Sequence, residues 1–200
     1  MDFNFSADQQ EIRSAIEKIC ARFGDDYWLK KDRDGGFPHD FHQALAEAGW
    51  LGIAMPEEYG GAGLGISEAA LMMHTISATG AGLSGASAVH MNIFGLNPVV
   101  VYGTHEQKKR MLPPLIQGKE KACFGVTEPN TGLNTAMLKT RAERHGDHYI
   151  VHGQKIWTSF GNDATHIFLL VRTDPASRKK DGISFLVADL KSPGFTVRPI

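Results

Sequence analysis

The sequence predicts an α+β chain: an N-terminal all-α helical domain over residues 1–121, then an antiparallel β-barrel or sandwich over residues 122–200, expected to be incomplete at residue 200. Three observations carry this. Apolar residues recur at helical spacing from Ile12 to Leu115. After Ala122 the period shortens to two, in short runs rich in Val, Ile, Phe and Thr separated by turns. Between the two regimes lies a polar link, Gly118-Lys-Glu-Lys121, where we place the domain boundary.

In chain order, Ser6 and Gln9 stand in capping-box positions, and Ile12, Ala15, Ile16 and Ile19 follow on one face, so a first helix is expected over Ala7–Phe23. The charged segment Gly24–Gly36 is assigned no element. Pro38 opens a helix with Phe41, Leu45 and Ala48 on one side, and Gly49 ends it. The loop from Pro56 to Gly65 is rich in glycines that can take positive φ. Ser67 is the expected cap of a long helix through Ile76. The Gly-, Ala- and Ser-rich stretch Ser77–Ala88 sacrifices helix propensity, roughly 1 kcal/mol for each Gly relative to Ala, which points to close helix packing. Asn97 and Pro98 start a short helix, and Thr104 with Gln107 caps another that Pro113 and Pro114 should stop. Strands are expected at 122–127, 138–144, 148–157, 166–173, 183–188 and 195–199, the last with nothing after it to pair with.

Composition excludes several function classes. The 200 residues are 42% hydrophobic and 22% charged, which is ordinary for a globular chain and unlike a disordered one. Lys+Arg 21 against Asp+Glu 22 gives a net charge of -1, so no basic field recommends nucleic acid. Cys20 and Cys123 form no CxxC or Cys/His ligand pattern, which suits a reducing cytosol, and the nine histidines include no ligand-spaced pair, so no metal is expected. The N-terminus has no arginine-rich presequence or apolar signal core, and no window reaches ~18 apolar residues, so a cytoplasmic protein without a membrane span is expected. The glycine-rich stretch lacks both the Gly-Lys-Ser/Thr of a P-loop and a GxGxxG between strand and helix, which argues against a nucleotide triphosphatase or a dinucleotide-binding fold.

Two stretches carry the chemistry. Cys123-Phe-Gly-Val-Thr-Glu-Pro-Asn-Thr-Gly-Leu-Asn134 sets a short apolar strand before a polar turn whose backbone amides can hold a ligand. Gln154-Lys-Ile-Trp-Thr-Ser159 sets an indole beside two hydroxyls at the end of another strand. Together they look like a cofactor pocket. These runs, with the upstream Met55-Pro-Glu-Glu-Tyr-Gly-Gly-Ala-Gly63, resemble the acyl-CoA dehydrogenase family in order and spacing over nearly all 200 residues.

The resemblance implies an FAD-dependent oxidoreductase of fatty acid metabolism and β-oxidation, acting on an acyl-CoA substrate. A base would take the α proton, hydride would leave Cβ for flavin N5, and an electron-transfer flavoprotein would reoxidise the flavin. It implies Phe124 beside the flavin ring, Val126 and Thr127 at the pyrimidine edge, Trp157 packed on the flavin, and Thr158 and Ser159 near it, with Ser159 at N5. Gly132 and Leu133 fall in the turn that meets the pyrophosphate, and Leu133 also lies near the thioester. There the family commonly carries Gly-Ser-Asp and this chain carries Gly132-Leu133-Asn134, so a hydroxyl is missing. In the helical domain the family's equivalent helix pair lines the acyl cavity, near Met72, Met73, Met91 and Phe94. The catalytic base is expected in a C-terminal helical domain absent from these 200 residues, so no catalytic residue is assigned here, and Glu128 is read as structural. A full-length homo-oligomer, dimer or tetramer, is implied. The alternatives are a catalytically silent partner subunit, or an acyl-CoA oxidase or flavin monooxygenase of the same fold.

Overall fold

The computed structural model describes residues 4–177 and 180–200. The chain divides into two compact units, residues 1–120 and 121–200.

The first unit is helical. Helix α1 (Ala7–Cys20) starts with the expected box: the Ser6 hydroxyl accepts from the Gln9 amide and Gln9 Oε1 from the Ser6 amide, both at 3.2 Å. Its buried stripe is Ile12, Ile16 and Cys20, and it packs on α4 (Ile66–Ile76), to which Gln9 Nε2 also donates through Glu68 Oε1 at 3.0 Å. The segment left without an element is in fact helix α2 (Asp25–Asp34). One aromatic side chain decides it. Trp28 is buried and meets the Phe41 ring edge-on at 5.1 Å, while Asp25 and Asp26 in the first turn and Lys31 and Arg33 in the last suit the helix dipole. Helix α3 (His39–Glu47) brings Phe41 and Leu45, both fully buried, and ends on Gly49 at φ 81°.

Residues 50–64 fold back on themselves. The amides of Ala62, Gly63 and Leu64 donate to the carbonyls of Gly52, Met55 and Ile53. Gly61 runs so close to the Met55 carbonyl that any Cβ there would overlap it. Helix α4 is capped not by Ser67, which lies inside its first turn, but by Gly65, whose amide donates to Glu68 Oε2 at 3.1 Å. The helical path then kinks at Gly80 (φ 93°) and Gly82 (φ 54°) before α5 (Gly82–His90). Glycine takes these angles at no steric cost. Gly85 in α5 has a different reason: a Cβ would stand 2.5 Å from Ala81 Cβ, 3.0 Å from Ile76 Cγ2 and 3.4 Å from Trp28 Cη2. Helices α6 (Asn97–Tyr102) and α7 (His105–Ile116) follow, α7 opening on the Thr104–Gln107 box. Pro113 and Pro114 do not stop α7. They sit within its last turn, where buried Leu112, Leu115 and Ile116 hold it to the core and the Pro113 carbonyl still accepts from Gln117.

The second unit holds strands β1 (Ala122–Gly125), β2 (Arg141–His145), β3 (His148–His152), β4 (His166–Arg172) and β5 (Ile183–Asp189). They do not form the antiparallel barrel expected. The sheet is mixed and, among the described residues, not closed: β4 runs parallel to β1 and β2 and antiparallel to β5, while β2 and β3 form a hairpin. Spacing of short strands carries no direction. The long excursion between β1 and β4 gives the chain room to cross over and enter beside β1 in the same sense. A central position also explains why β4, His-Ile-Phe-Leu-Leu-Val-Arg, is almost continuously buried.

Apart from β1, which ends at Gly125 and not at Thr127, and β4, one residue shorter than expected, three expected strands are cut short or missing for local reasons. Residues 138–140 carry no ladder because a carboxylate, described below, takes the amides of Lys139 and Thr140. β3 ends at His152 because its register partner Arg141 is the first residue of β2. Residues 195–199 form no strand, since no neighbouring strand among the described residues offers them a ladder. The sheet's core face is Cys123, Ala142, Ile167, Leu169 and Val171.

Gly85→Ala should lower stability by up to about 2 kcal/mol, because overpacking of about 1–3 kcal/mol is offset by only the roughly 1 kcal/mol gained in helix propensity. The readout is the urea midpoint at unchanged m; a raised midpoint would show that the contact with Ala81 and Ile76 relaxes freely.

Candidate functional site

The two chemistry-bearing stretches lie side by side in the second unit. β1 leads to Val126 and Thr127, and beside them runs the segment after β3. The Ile156 amide donates to the Thr127 carbonyl at 2.9 Å, and Lys155 Nζ donates to the Val126 carbonyl at 3.0 Å. Glu128 and Thr131 exchange two backbone hydrogen bonds, 2.9 and 3.0 Å, which close a turn over Pro129 and Asn130. Gly153 lets the returning strand pass against Thr140, where a Cβ would overlap the threonine side chain.

Glu128 holds this arrangement. Its Oε1 accepts from the Thr140 amide at 2.8 Å and from Lys155 Nζ at 2.9 Å, and its Oε2 accepts from the Lys139 amide at 2.7 Å. The carboxylate and the ammonium are both nearly inaccessible, with side chains 7% and 6% exposed. Burial opposes the charge on Glu128, but hydrogen bonds from Thr140, Lys139 and Lys155 outweigh it and hold the pKa down at about 2. Lys155 is shifted downward by burial, against the pull of Glu128. Every favourable neighbour of this carboxylate is a donor, so its chemistry is that of an acceptor, not a base.

The second stretch is bent by its backbone. Trp157 has φ 59° and Phe160 φ 61°, left-handed values that cost a bulky residue free energy and persist only when neighbours impose them. The bonds from Ile156 to Thr127 before the bend, and from Asp163 and Ala164 to the Phe160 carbonyl after it, are such constraints. The indole is left 68% exposed. Trp157, Thr158 and Ser159 line a cavity of about 970 Å³ whose floor is the sheet face carrying Cys123, Val151 and Leu169. Burial pushes the Cys123 thiol up to about 12, so it is an inert apolar surface.

Of the remaining predicted residues, Val126 and Thr127 are bonded to the segment before the bend, and none of them is in the cavity lining. Phe124 alternates to the opposite face of β1 from Cys123 and packs on Phe185 with ring centroids 6.0 Å apart. Leu133 is fully exposed at the tip of the turn after Thr131, next to Gly132. The amides of Gly132, Leu133, Trp157, Thr158 and Ser159 donate to no protein group among the described residues; those of 157–159 flank an exposed flat ring, and those of 132 and 133 lie in the turn after Thr131. That donor set fits a flavin, which needs an apolar face and N–H or O–H donors along its edge. Among the described residues no group of three His, Cys, Asp or Glu could hold a metal ion, and no helix is long and apolar enough to cross a membrane.

Sequence reasoning missed Lys155. The available signal was the lone cation of one motif, Gly153-Gln-Lys-Ile-Trp157, set against the single carboxylate of the other. Pairing them needs the fold, because 27 positions separate them.

Glu128→Gln should cost about 2–4 kcal/mol at pH 7, since Lys155 would remain buried without its counter-charge. The folded pKa near 2 lies below the unfolded value, so this contribution, about 3 kcal/mol in the wild type, is present above about pH 4.5 and lost as pH falls toward 2. Urea titrations from pH 7 to pH 3 should therefore show wild type and variant converging in acid; a constant gap across that range would refute the assignment.

Family models match the chain twice: the acyl-CoA dehydrogenase N-terminal domain over residues 6–119 and the middle domain over residues 123–200. Acyl-CoA dehydrogenase FadE29 of Mycobacterium tuberculosis is 37% identical over 172 residues, covering 86% of this chain and 43% of that protein. Among the similar solved structures, two that are each 31% identical are informative. One is described as the electron transferring flavoprotein of Acidaminococcus fermentans, with TM-score 0.89 over 97% of this chain and 50% of that one. The other is the ChsE4-ChsE5 complex from Mycobacterium tuberculosis, with TM-score 0.81 over 96% and 49%. The chain thus spans about half the length of the relatives it matches. With both domain models aligned in sequence order on its two compact units, the chain belongs to the acyl-CoA dehydrogenase family.

Proposed function

We propose that the protein, at its natural length, is an FAD-dependent acyl-CoA dehydrogenase that oxidises the Cα–Cβ bond of an acyl-CoA thioester and passes the electrons to an electron-transfer flavoprotein. The observation that carries this is the bond between the Ile156 amide and the Thr127 carbonyl, which sets an exposed indole and a row of free donors against the end of β1. In this reading Trp157 offers the flat apolar face, Val126 and Thr127 meet the pyrimidine edge, and Thr158 and Ser159 supply donors, Ser159 toward N5. Gly132 and Leu133 offer backbone amides to the pyrophosphate. Phe124, packed at a tilt against Phe185, supports the strand end from behind. Bound FAD supplies the hydride acceptor for the reaction.

Glu128 is not the base of this reaction. Both its oxygens are engaged by donors, and its depressed pKa leaves it a poor proton acceptor near neutrality. We place the base outside these 200 residues. Assembly as a dimer or tetramer, a cytoplasmic site and a part in β-oxidation of fatty acids belong to the same reading. One observation favours a second reading. Leu133 stands fully exposed where a hydroxyl was expected, and one similar structure is a complex of two named components, so the chain could serve as a subunit whose flavin site is completed by a partner.

The experiment is FAD uptake by the natural-length protein, wild type and Trp157→Ala. The wild type should bind FAD stoichiometrically and show the flavin absorbance bands, and the alanine variant should bind at least tenfold more weakly. Equal binding by both would remove Trp157 from the site. No uptake by the wild type alone, restored on co-expression with a second family member, would select the shared-site reading.

A further inference from the structure

We infer that Lys155 is a positioning residue for the flavin end of β1: it fixes the Val126–Thr127 backbone and the bend at Trp157 through its bond to the Val126 carbonyl and its ion pair with Glu128. The inference rests on the flavin reading above. Its starting point is the cost of the lysine. An ammonium with a side chain 6% exposed is expensive to bury, and a buried ion pair is often no more stabilising than apolar residues of similar volume. Stability alone therefore gives no reason for a lysine at this position. Geometry does. Lys155 Nζ directs one bond at 3.0 Å to the Val126 carbonyl and another at 2.9 Å to Glu128 Oε1, whose two oxygens also hold the Lys139 and Thr140 amides.

The Lys155–Glu128 pair thus ties together three backbone segments, 126–128, 139–140 and 155–156. The next residue adds a second attachment, the Ile156 amide on the Thr127 carbonyl at 2.9 Å. Consecutive carbonyls, Val126 and Thr127, are then both committed to the 155–156 segment, so the peptide groups between β1 and the Glu128 turn cannot rotate independently. Trp157 follows immediately, at φ 59°. A left-handed tryptophan relaxes unless the residues before it are pinned. An apolar residue at 155 would fill the space and leave the Val126 carbonyl without this donor, freeing the edge that orients the ring. Removing the lysine also leaves the Glu128 carboxylate with only its two amide donors, so a loss of stability accompanies the change, and the effect that distinguishes a positioning role is on how the flavin is held.

The test compares three forms of the natural-length protein, with FAD as the probe: wild type, Lys155→Met, and Leu45→Ala, a cavity-forming change at a fully buried position of α3 in the helical unit. FAD dissociation constants, flavin absorbance maxima and urea midpoints are measured for each. Lys155→Met should weaken FAD at least tenfold and shift the bound-flavin maxima. Leu45→Ala should lower the urea midpoint while keeping FAD affinity within twofold. If Lys155→Met does not fold, Lys155→Arg, which keeps the charge but changes the donor geometry, is held to the same tenfold criterion. Affinity within twofold of wild type in the lysine variant, or a loss matched by Leu45→Ala at equal midpoint, overturns the positioning role and leaves the flavin reading standing. A wild type that takes up no FAD under any condition overturns both.

Discussion

The second unit depends on one buried carboxylate. Glu128 collects two backbone amides and an ammonium, and neither amide donates to a strand carbonyl among the described residues. Unpaired buried amides are costly, so removing this acceptor would leave the 138–140 segment, the turn after β1 and the return from β3 without their common anchor. The mixed sheet provides the platform, but its ladders stop short of these residues. A side chain finishes what the backbone pairing does not, and it leaves the Trp157 bend and the exposed donors beside it in place.

The helical unit is governed by a different constraint, which is how closely its elements approach. Trp28, Phe23 and Phe41 meet edge-on at 5.1–5.4 Å, and the tip of Trp28 reaches α5 where Gly85 has no side chain. Bulk on one helix is matched by its absence on the other. The same logic runs through the 50–64 loop, whose Gly61 lies against the Met55 carbonyl. Small residues in this unit mark contacts, and the kink at Gly80 and Gly82 turns the chain between two of them.

Much of this was legible in the residues. Caps built from neighbouring side chains, such as Ser6 with Gln9 and Thr104 with Gln107, depend on atoms three positions apart and stand as read. Helix α2 was not legible, because its stripe is a single tryptophan and its other signals are charges at its ends. The prolines of α7 misled for a similar reason: their local cost is real, but buried Leu112, Leu115 and Ile116 outweigh it. At the candidate site, the motifs containing Val126, Thr127, Trp157 and Ser159 stood out from their residue types. Phe124's orientation away from the cavity follows from strand alternation only once the face bearing Cys123 is known to be the cavity side.

What the sequence determined by itself is whatever short-range chemistry dictates: helix caps, the change of period at residue 122, the turn residues, and the order of motifs that marks the family. Only the tertiary structure decided strand direction, the capture of the Lys139 and Thr140 amides by Glu128, the pairing of Glu128 with Lys155, and the left-handed bend at Trp157. The physical reason is separation along the chain. A cap is chosen among a few neighbours, whereas a buried ion pair joining residues 27 apart is chosen by the whole packing arrangement that removes both charges from water.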